Sequence, residues 1–337
     1  MPFWKRQTGH ESDRLRNMLK DEQFDDVASL ASDSIQSALA LTELLKDPEV
    51  EVRANAAEAI AKIGKEDVRT PDGMKTIVLP AVLNLVQNPN VHTREAATRA
   101  LTGISWNSLM WKDFGQIAER VIPWIIRLSK DPSAMVRRNA LEALSVIAGW
   151  IVDMNETMEQ IEPALPTLRM SLEDTELRYH AIQALKSVAY RRPGWVKPMI
   201  GDVTALIRDP HDIVRLNAVM TLKHVAEAYP EELRTTLPSL YILLEDTWER
   251  ITENAAIAIG LVTKEATEAS VVATKLIQLL GDRRPEWRRE AAVALGRIAT
   301  IEPGIVERAL PQLKKLLEDP DQMVRVSAQT TLNVLSI

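Results

Sequence analysis

Along most of the chain, apolar and small residues recur at steps of three and four. They do so in eight blocks. Each block opens on an acidic residue or asparagine, often followed by proline; most then carry an apolar residue, arginine, two residues and alanine. The first reads Asp47-Pro48-Glu49-Val50-Glu51-Val52-Arg53-Ala54-Asn55-Ala56. Aligned on the small residue, the copies fall at Ala56, Ala97, Ala140, Ala181, Ala218, Ala255, Ala291 and Ala328. With that alanine as zero, positions 0, +3, +4 and +7 are apolar or small. Examples are Ala56, Ala59, Ile60 and Ile63, then Ala140, Ala143, Leu144 and Ile147, then Ala291, Ala294, Leu295 and Ile298. That spacing is one face of an α-helix. Its return every 36 to 43 residues predicts a stacked helical array, in which each unit buries its apolar face against its neighbours.

Each block carries a second helical pattern ahead of the first. Pro80, Pro123, Pro166, Pro238 and Pro311 stand eight residues before the acidic or asparagine position of their repeat, inside apolar runs such as Val78-Leu79-Pro80-Ala81-Val82-Leu83. A proline within a helix removes a backbone bond and bends it, so the outer helix is expected to be kinked in these five repeats. Asp47, Asp131, Asp209 and Asp319, each followed by proline, and Asn88 before Pro89, are expected to be N-caps of the inner helix.

The Leu-Pro or Ile-Pro of the outer helix, the Asp-Pro turn and the Val-Arg opening the inner helix resemble the HEAT-repeat (armadillo-like) family over about residues 34–337. The resemblance implies an all-α fold: a right-handed α-solenoid of about eight helical hairpins. It also implies a ladder of Asp–Arg hydrogen bonds, with Arg53, Arg94, Arg137, Arg178, Arg215, Arg288 and Arg325 in the arginine column. The sixth copy departs from it with Thr252, so that repeat is expected to be the softest. Residues 13–33 read as an N-terminal capping helix and residues 1–12 as a flexible tail. Spacing between reference alanines is 41, 43 and 41 residues, then 37, 37, 36 and 37, which predicts two segments joined near residues 181–200. Polar Gln329, Thr330 and Asn333 fit a last helix with a solvated outer face.

Composition narrows the chemistry. There is no cysteine among 337 residues, which excludes disulfides, thiolate metal sites and thiol catalysis. The net charge of −6 opposes general binding to nucleic acid or anionic membrane. Neither a signal peptide nor a spanning run is apparent, and a cytoplasmic location is the expectation. Asn155-Glu156-Thr157 matches a glycosylation sequon but carries no weight without a secretion signal. Phosphate-binding glycine loops, nucleophile elbows and zinc-protease helices are absent from the sequence. Iron-binding deoxyhypusine hydroxylases, a related helical family, use repeated His-Glu pairs; here the one such pair is His10-Glu11, and His180 stands in a column otherwise held by Asn55, Asn139, Asn217 and Asn254. No enzyme activity, metal or cofactor is expected.

The function that this implies is a non-catalytic scaffold for a protein or peptide, with no membrane insertion. The alternative is a nucleic-acid-binding protein of the HEAT-like DNA glycosylase type, given the basic pairs Arg137-Arg138, Arg191-Arg192 and Arg283-Arg284 and the loop tryptophans Trp106, Trp111 and Trp150, with Trp195 beyond. On the inner helix, positions −2 and +2 are expected to point away from the core. They are mostly charged in the first three repeats (Glu95, Arg138, Glu58, Arg99, Glu142) and turn apolar afterwards: Tyr179, Leu216, Met220, Ile257 and Val293. With Lys186 and Lys223 beside them, these residues form the candidate partner-binding stripe. The competing reading is that the tighter repeats bury these positions against each other.

Overall fold

The computed structural model describes residues 3–63, 78–107, 114–151 and 158–335. Trp111 and the Asn155 sequon lie outside them. All regular structure among the described residues is helical. The chain divides into two compact units, 1–184 and 185–337, and the division falls in the interval where the repeat spacing shortens.

In the first unit, α1 (Phe3–Lys20) and α2 (Phe24–Asp33) precede a hairpin of α3 (Ile35–Glu43) and α4 (Val50–Lys62). The pairs α5 (Leu79–Leu85) with α6 (Val91–Asn107), and α7 (Phe114–Leu128) with α8 (Ala134–Ile151), follow, then α9 (Leu165–Ser171) and the first half of α10 (Arg178–Arg191). The inner helices stack in order, α4 on α6 and α6 on α8. In the second unit, α11 (Pro193–Val196) and α12 (Ile200–Ala205) lead to α13 (Asp212–Ala228). Next come α14 (Leu237–Ile242) with α15 (Glu249–Val262), and α16 (Ala266–Leu279) with α17 (Pro285–Ala299). The last are α18 (Pro303–Glu307), α19 (Leu310–Lys315) and α20 (Gln322–Val334). Here α13 packs on α15, α15 on α17 and α17 on α20.

All eight reference alanines are fully buried. The inner helices approach so closely that a Cβ added at Gly103 would lie 2.1 Å from Ala61 Cβ on the preceding inner helix, and one at Gly296 would lie 2.8 Å from Thr331 Oγ1 on the next. Small residues in these columns set the helix separation and hence the stacking.

Three local expectations change. Four of the five outer-helix prolines stand at the start of a described α-helix rather than inside one. Pro80, Pro166, Pro238 and Pro311 sit at the start of α5, α9, α14 and α19, where the missing N–H would lack an intrahelical partner in any case. The chain ahead of two of them runs as 3-10 turns, Glu162–Ala164 and Pro230–Thr236. Pro123 alone of the five lies inside a helix.

Nor are the turn aspartates N-caps. The cap positions of α4, α13, α15 and α17 are Glu49, His211, Trp248 and Arg284. Two residues earlier, Asp47 Oδ1 accepts from the Glu49 amide at 2.9 Å, and Asn88, Asp131, Asp174, Asp209, Asp246, Asp282 and Asp319 do the same in their turns. This is an Asx-turn, and it leaves the second carboxylate oxygen available to another partner.

Finally, residues 1–12 are not all a loose tail: α1 starts at Phe3 and runs to Lys20, with Leu15 and Leu19 fully buried as its anchors. Residues 13–33 span two helices rather than one cap. Helix α1 packs on α3 and α4, and Asn55 donates to the Leu19 carbonyl at 3.0 Å. It therefore behaves as the inner helix of a preceding unit.

Candidate functional site

The polar skeleton of each unit is built from the repeated turn. Through Nη1 the column arginines cross-brace their own turn. Arg53 donates to the Asp47 and Pro48 carbonyls, and Arg94, Arg137, Arg215, Arg288 and Arg325 bond the same two positions of their turns. Through Nε three of them reach the carboxylate of the next turn: Arg94–Asp131 at 2.9 Å, Arg215–Asp246 at 2.7 Å and Arg288–Asp319 at 2.7 Å. Arg178 opens α10 and is half-buried. Arg16 of α1 makes the same bond to Asp47 at 2.7 Å. The sequence reading missed it, although its separation of 31 residues equals that of Arg215 from Asp246. The Arg288 bond holds the Asp319 carboxyl below its ordinary range, and the Arg215 bond does so for Asp246 against the opposing effect of burial.

At Thr252 the rung is replaced by one of opposite polarity. Thr252 Oγ1 turns back to the Glu249 carbonyl. Asp282 is instead gripped from within its own turn by Arg284, whose Nε and Nη2 lie 2.9 Å from its two oxygens. The same Nη2 donates back to Glu253 on α15 at 3.2 Å. The Arg284 bond pulls Asp282 down to about 2, while burial pushes the 1% exposed Glu253 up. The sixth repeat is thus bonded through the turn that follows it, which removes the ground for expecting it to be soft.

These bonds also draw on part of the basic clusters on which a nucleic-acid reading rested, while Arg138 stays exposed. Arg137, Arg284 and Arg288 are all committed internally.

Within the second unit the residues of the proposed partner stripe are not all exposed. Leu216, Ile257 and Lys223 are 5%, 1% and 3% exposed, so they are interior and cannot meet a partner in this state. Met220 and Lys186 are half-buried, and burial lowers the Lys186 pKa. Tyr179 and Val293 are exposed, Tyr179 lying edge-on to His180 at 4.8 Å. Within the second unit, side chains of α17 also reach past α15 to α13, two repeats away. Lys223 Nζ meets Glu290 Oε2 at 2.6 Å, and Arg297 donates to the Glu227 carbonyl at 3.4 Å. Trp287 is buried where other repeats carry Val52, Val136 or Val214. Lys223 and Arg284 lie over its ring at 5.7 and 4.9 Å, within cation–π range.

The first unit presents the opposite picture. Its inner helices α4, α6 and α8 line an open groove of about 200 Å³ whose walls include Val50, Ala54, His92, Glu95, Arg99 and Met135. Val50 is 69% exposed and Met135 36%. Glu95 accepts from Ser133 Oγ at 2.8 Å and lies 3.4 Å from His92 Nδ1, so it is held across the helix interface. Arg99 and Arg138 are exposed on the same faces. At the far end, burial and then the Arg138 charge lower His180 to about 4. Sequence reasoning passed over Val50 and Met135, which stand at −6 and −5 from the reference alanine, outside the columns it followed.

No group of three or more His, Asp or Glu side chains able to hold a metal occurs among the described residues. No helix among them is long and apolar enough to cross a membrane.

Comparison with known proteins follows the repeat. HEAT repeats match residues 38–108 and 264–333, and a single HEAT repeat matches 121–151; together these segments span just over half of the chain. Residues 176–277 match the non-SMC mitotic condensation complex subunit 1 family. Protein ILITYHIA of Arabidopsis thaliana is 24% identical over 316 residues, covering 88% of this chain and 11% of that protein. Importin subunit alpha-8 of the same organism is 26% identical over 130 residues, covering 37% of this chain and 29% of its own. The chain therefore spans less than a third of either relative. The crystal structure of an engineered protein superposes with a TM-score of 0.57 at 20% identity, covering 97% of this chain and 99% of that one, a likeness of fold. Repeat pattern, all-helical stacking and family matches agree: the chain belongs to the HEAT/armadillo-like repeat family.

Proposed function

We propose that the protein is a non-catalytic interaction scaffold whose inner-helix groove in the first unit, on α4, α6 and α8, binds an extended segment of a protein partner. The observation that carries this reading is the groove itself: two apolar side chains, Val50 and Met135, exposed beside Arg99, His92 and Glu95 in a cleft shared by three repeats. Apolar anchors flanked by charges suit a peptide, the anchors contributing area and the charges orientation. The family resemblance and the partial likeness to importin subunit alpha-8 over 37% of the chain support a protein-interaction role without naming a partner. The alternative, nucleic-acid binding, has less support because the net charge is −6 and Arg137 and Arg284 are bonded within their own turns.

The test is selection of peptides from a displayed library on the full chain, followed by binding to Val50→Asp/Met135→Asp and to Val293→Asp. The expected result is that selected peptides lose at least tenfold in affinity on the first variant and nothing on the second. Peptides that bind all three proteins equally would overturn the proposal.

A further inference from the structure

The contact between α13 and α17 spans two repeats and closes over α15. Its polar centre is the Lys223–Glu290 pair, with Nζ and Oε2 2.6 Å apart and the side chains 4% and 14% exposed. Around it lie the Trp287 ring under Lys223 and, further along the helices, the bond from Arg297 to the Glu227 carbonyl. Beneath it α15 is buried on all sides, from Glu253 through Val262.

A seam of this composition has unusual energetics. An apolar seam would be closed by the cost of exposing it. Here, opening returns an ammonium and a carboxylate to water, and their hydration offsets the loss of their attraction, so a buried ion pair adds little net stability over apolar side chains of the same volume. Removing one partner alone is costly, because the other charge is left buried and unpaired. The pair therefore fixes which residues meet while adding little to the tightness of the meeting, and closure is favoured by the burial of Leu216 and Ile257. The rest of the spine does not share this property. Arg215–Asp246 and Arg288–Asp319 join adjacent repeats at the turns, and they need not break when α17 moves away from α13.

We infer that the α13–α17 seam is a reversible latch: repeats five to seven close over α15 through Lys223–Glu290 and open by separation of these two inner helices while the turn rungs stay made. In the open state Leu216, Met220 and Ile257 become accessible, so the latch governs whether the second unit displays an apolar inner face.

The absence of cysteine makes the test direct. Spin labels on Ala228→Cys and Thr300→Cys, both exposed positions at the ends of these helices, report the α13–α17 distance in the full chain. Hydrogen exchange of residues 253–262 reports access to α15. The parent chain should show a dominant short distance and exchange of α15 faster than that of the global core. Glu290→Lys should lengthen the distance and accelerate α15 exchange by roughly ten- to a hundredfold, the equivalent of one charge-assisted hydrogen bond. The swap Lys223→Glu/Glu290→Lys should restore the short distance, and Lys223→Met/Glu290→Met should slow α15 exchange below that of the parent. If Glu290→Lys unfolds the unit, Glu290→Gln replaces it, with faster α15 exchange and unchanged exchange at residues 324–332 expected. Exchange of α15 only through global unfolding, or a distance indifferent to both Glu290 substitutions, would overturn the latch.

Discussion

Arg99 and Ile257 hold the same place in the repeat, two residues past the buried reference alanine, yet Arg99 lies in solvent and Ile257 is 1% exposed. The difference does not arise within the repeat, because both helices pack on their neighbours through the same alanine column. It arises two repeats away. In the second unit side chains of α17 bond α13 across the helix between them, and that helix is buried from Glu253 through Val262; in the first, α4, α6 and α8 line an open groove. Whether a position on the inner helix is surface or core is therefore settled by a second-neighbour contact, and the side chains at that contact decide it.

The strongest way to break this comparison is to truncate the paired positions. Ile257→Ala should cost about 2–4 kcal/mol, the range for a large aliphatic side chain removed from a packed interior. Arg99→Ala should stay within about 0.5 kcal/mol. Urea unfolding of both variants measures this, and equal effects would show that the two faces do not differ as described.

Acid should separate the units next. His180 in the first unit titrates near 4 rather than 6.5 because burial and Arg138 favour its neutral form. Its contribution is present above pH 6.5 and lost as the pH falls to about 4, on the order of 1–2 kcal/mol. Asp282 in the second unit is pulled from 3.8 to about 2, so its contribution is held above 3.8 and lost only as the pH falls toward 2. Stability of His180→Asn should be flatter between pH 6.5 and 4, and that of Asp282→Asn flatter below 4. Pulsed hydrogen exchange resolves the two windows by residue, and a single window shared by both units would contradict the assignment.

The smallest effect sharpens the comparison by adding a bond. Asn88 forms the same Asx-turn as the aspartates but offers the preceding arginine, Arg53, no carboxylate. Asn88→Asp should supply one and raise stability by about 0.5–1.5 kcal/mol, read as a shift of the urea midpoint at constant slope. No shift would mean that Arg53 cannot reach the next turn.

The array and its inner helices were legible because stacking demands a small residue at one place in every unit, and eight alanines supply it. The burial of Leu216, Ile257 and Lys223 was not, because helical periodicity reports which residues share a face and is silent on what lies two repeats away. A signal did exist. Lys223 stands five residues past its alanine, and Glu290 is the one acid in a column held in four repeats by Asn55, Asn139, Asn217 and Asn254. An unusual acid at 290, two repeats from a base at 223, marks the contact. The reversed rung left a similar trace, an arginine lost at 252 and one gained at 284. The outer-helix prolines were misread for a different reason: an apolar run resembles a helix interior whether or not the helix starts inside it.

The rungs have a consequence for how such chains change over generations. An Arg-to-next-turn bond is head-to-tail, so a unit carrying both halves can be duplicated or deleted in frame and each new neighbour finds its counterpart. Repeats six and seven are excluded from this freedom. Thr252 has no arginine to give, Arg284 already holds Asp282, and Glu253 relies on Arg284. Losing repeat seven alone, or copying repeat six alone, strands a Glu253 carboxylate inside the fold without its Arg284. The two form a single heritable module, and recombination within this lineage should place its breakpoints on either side of the pair rather than between them.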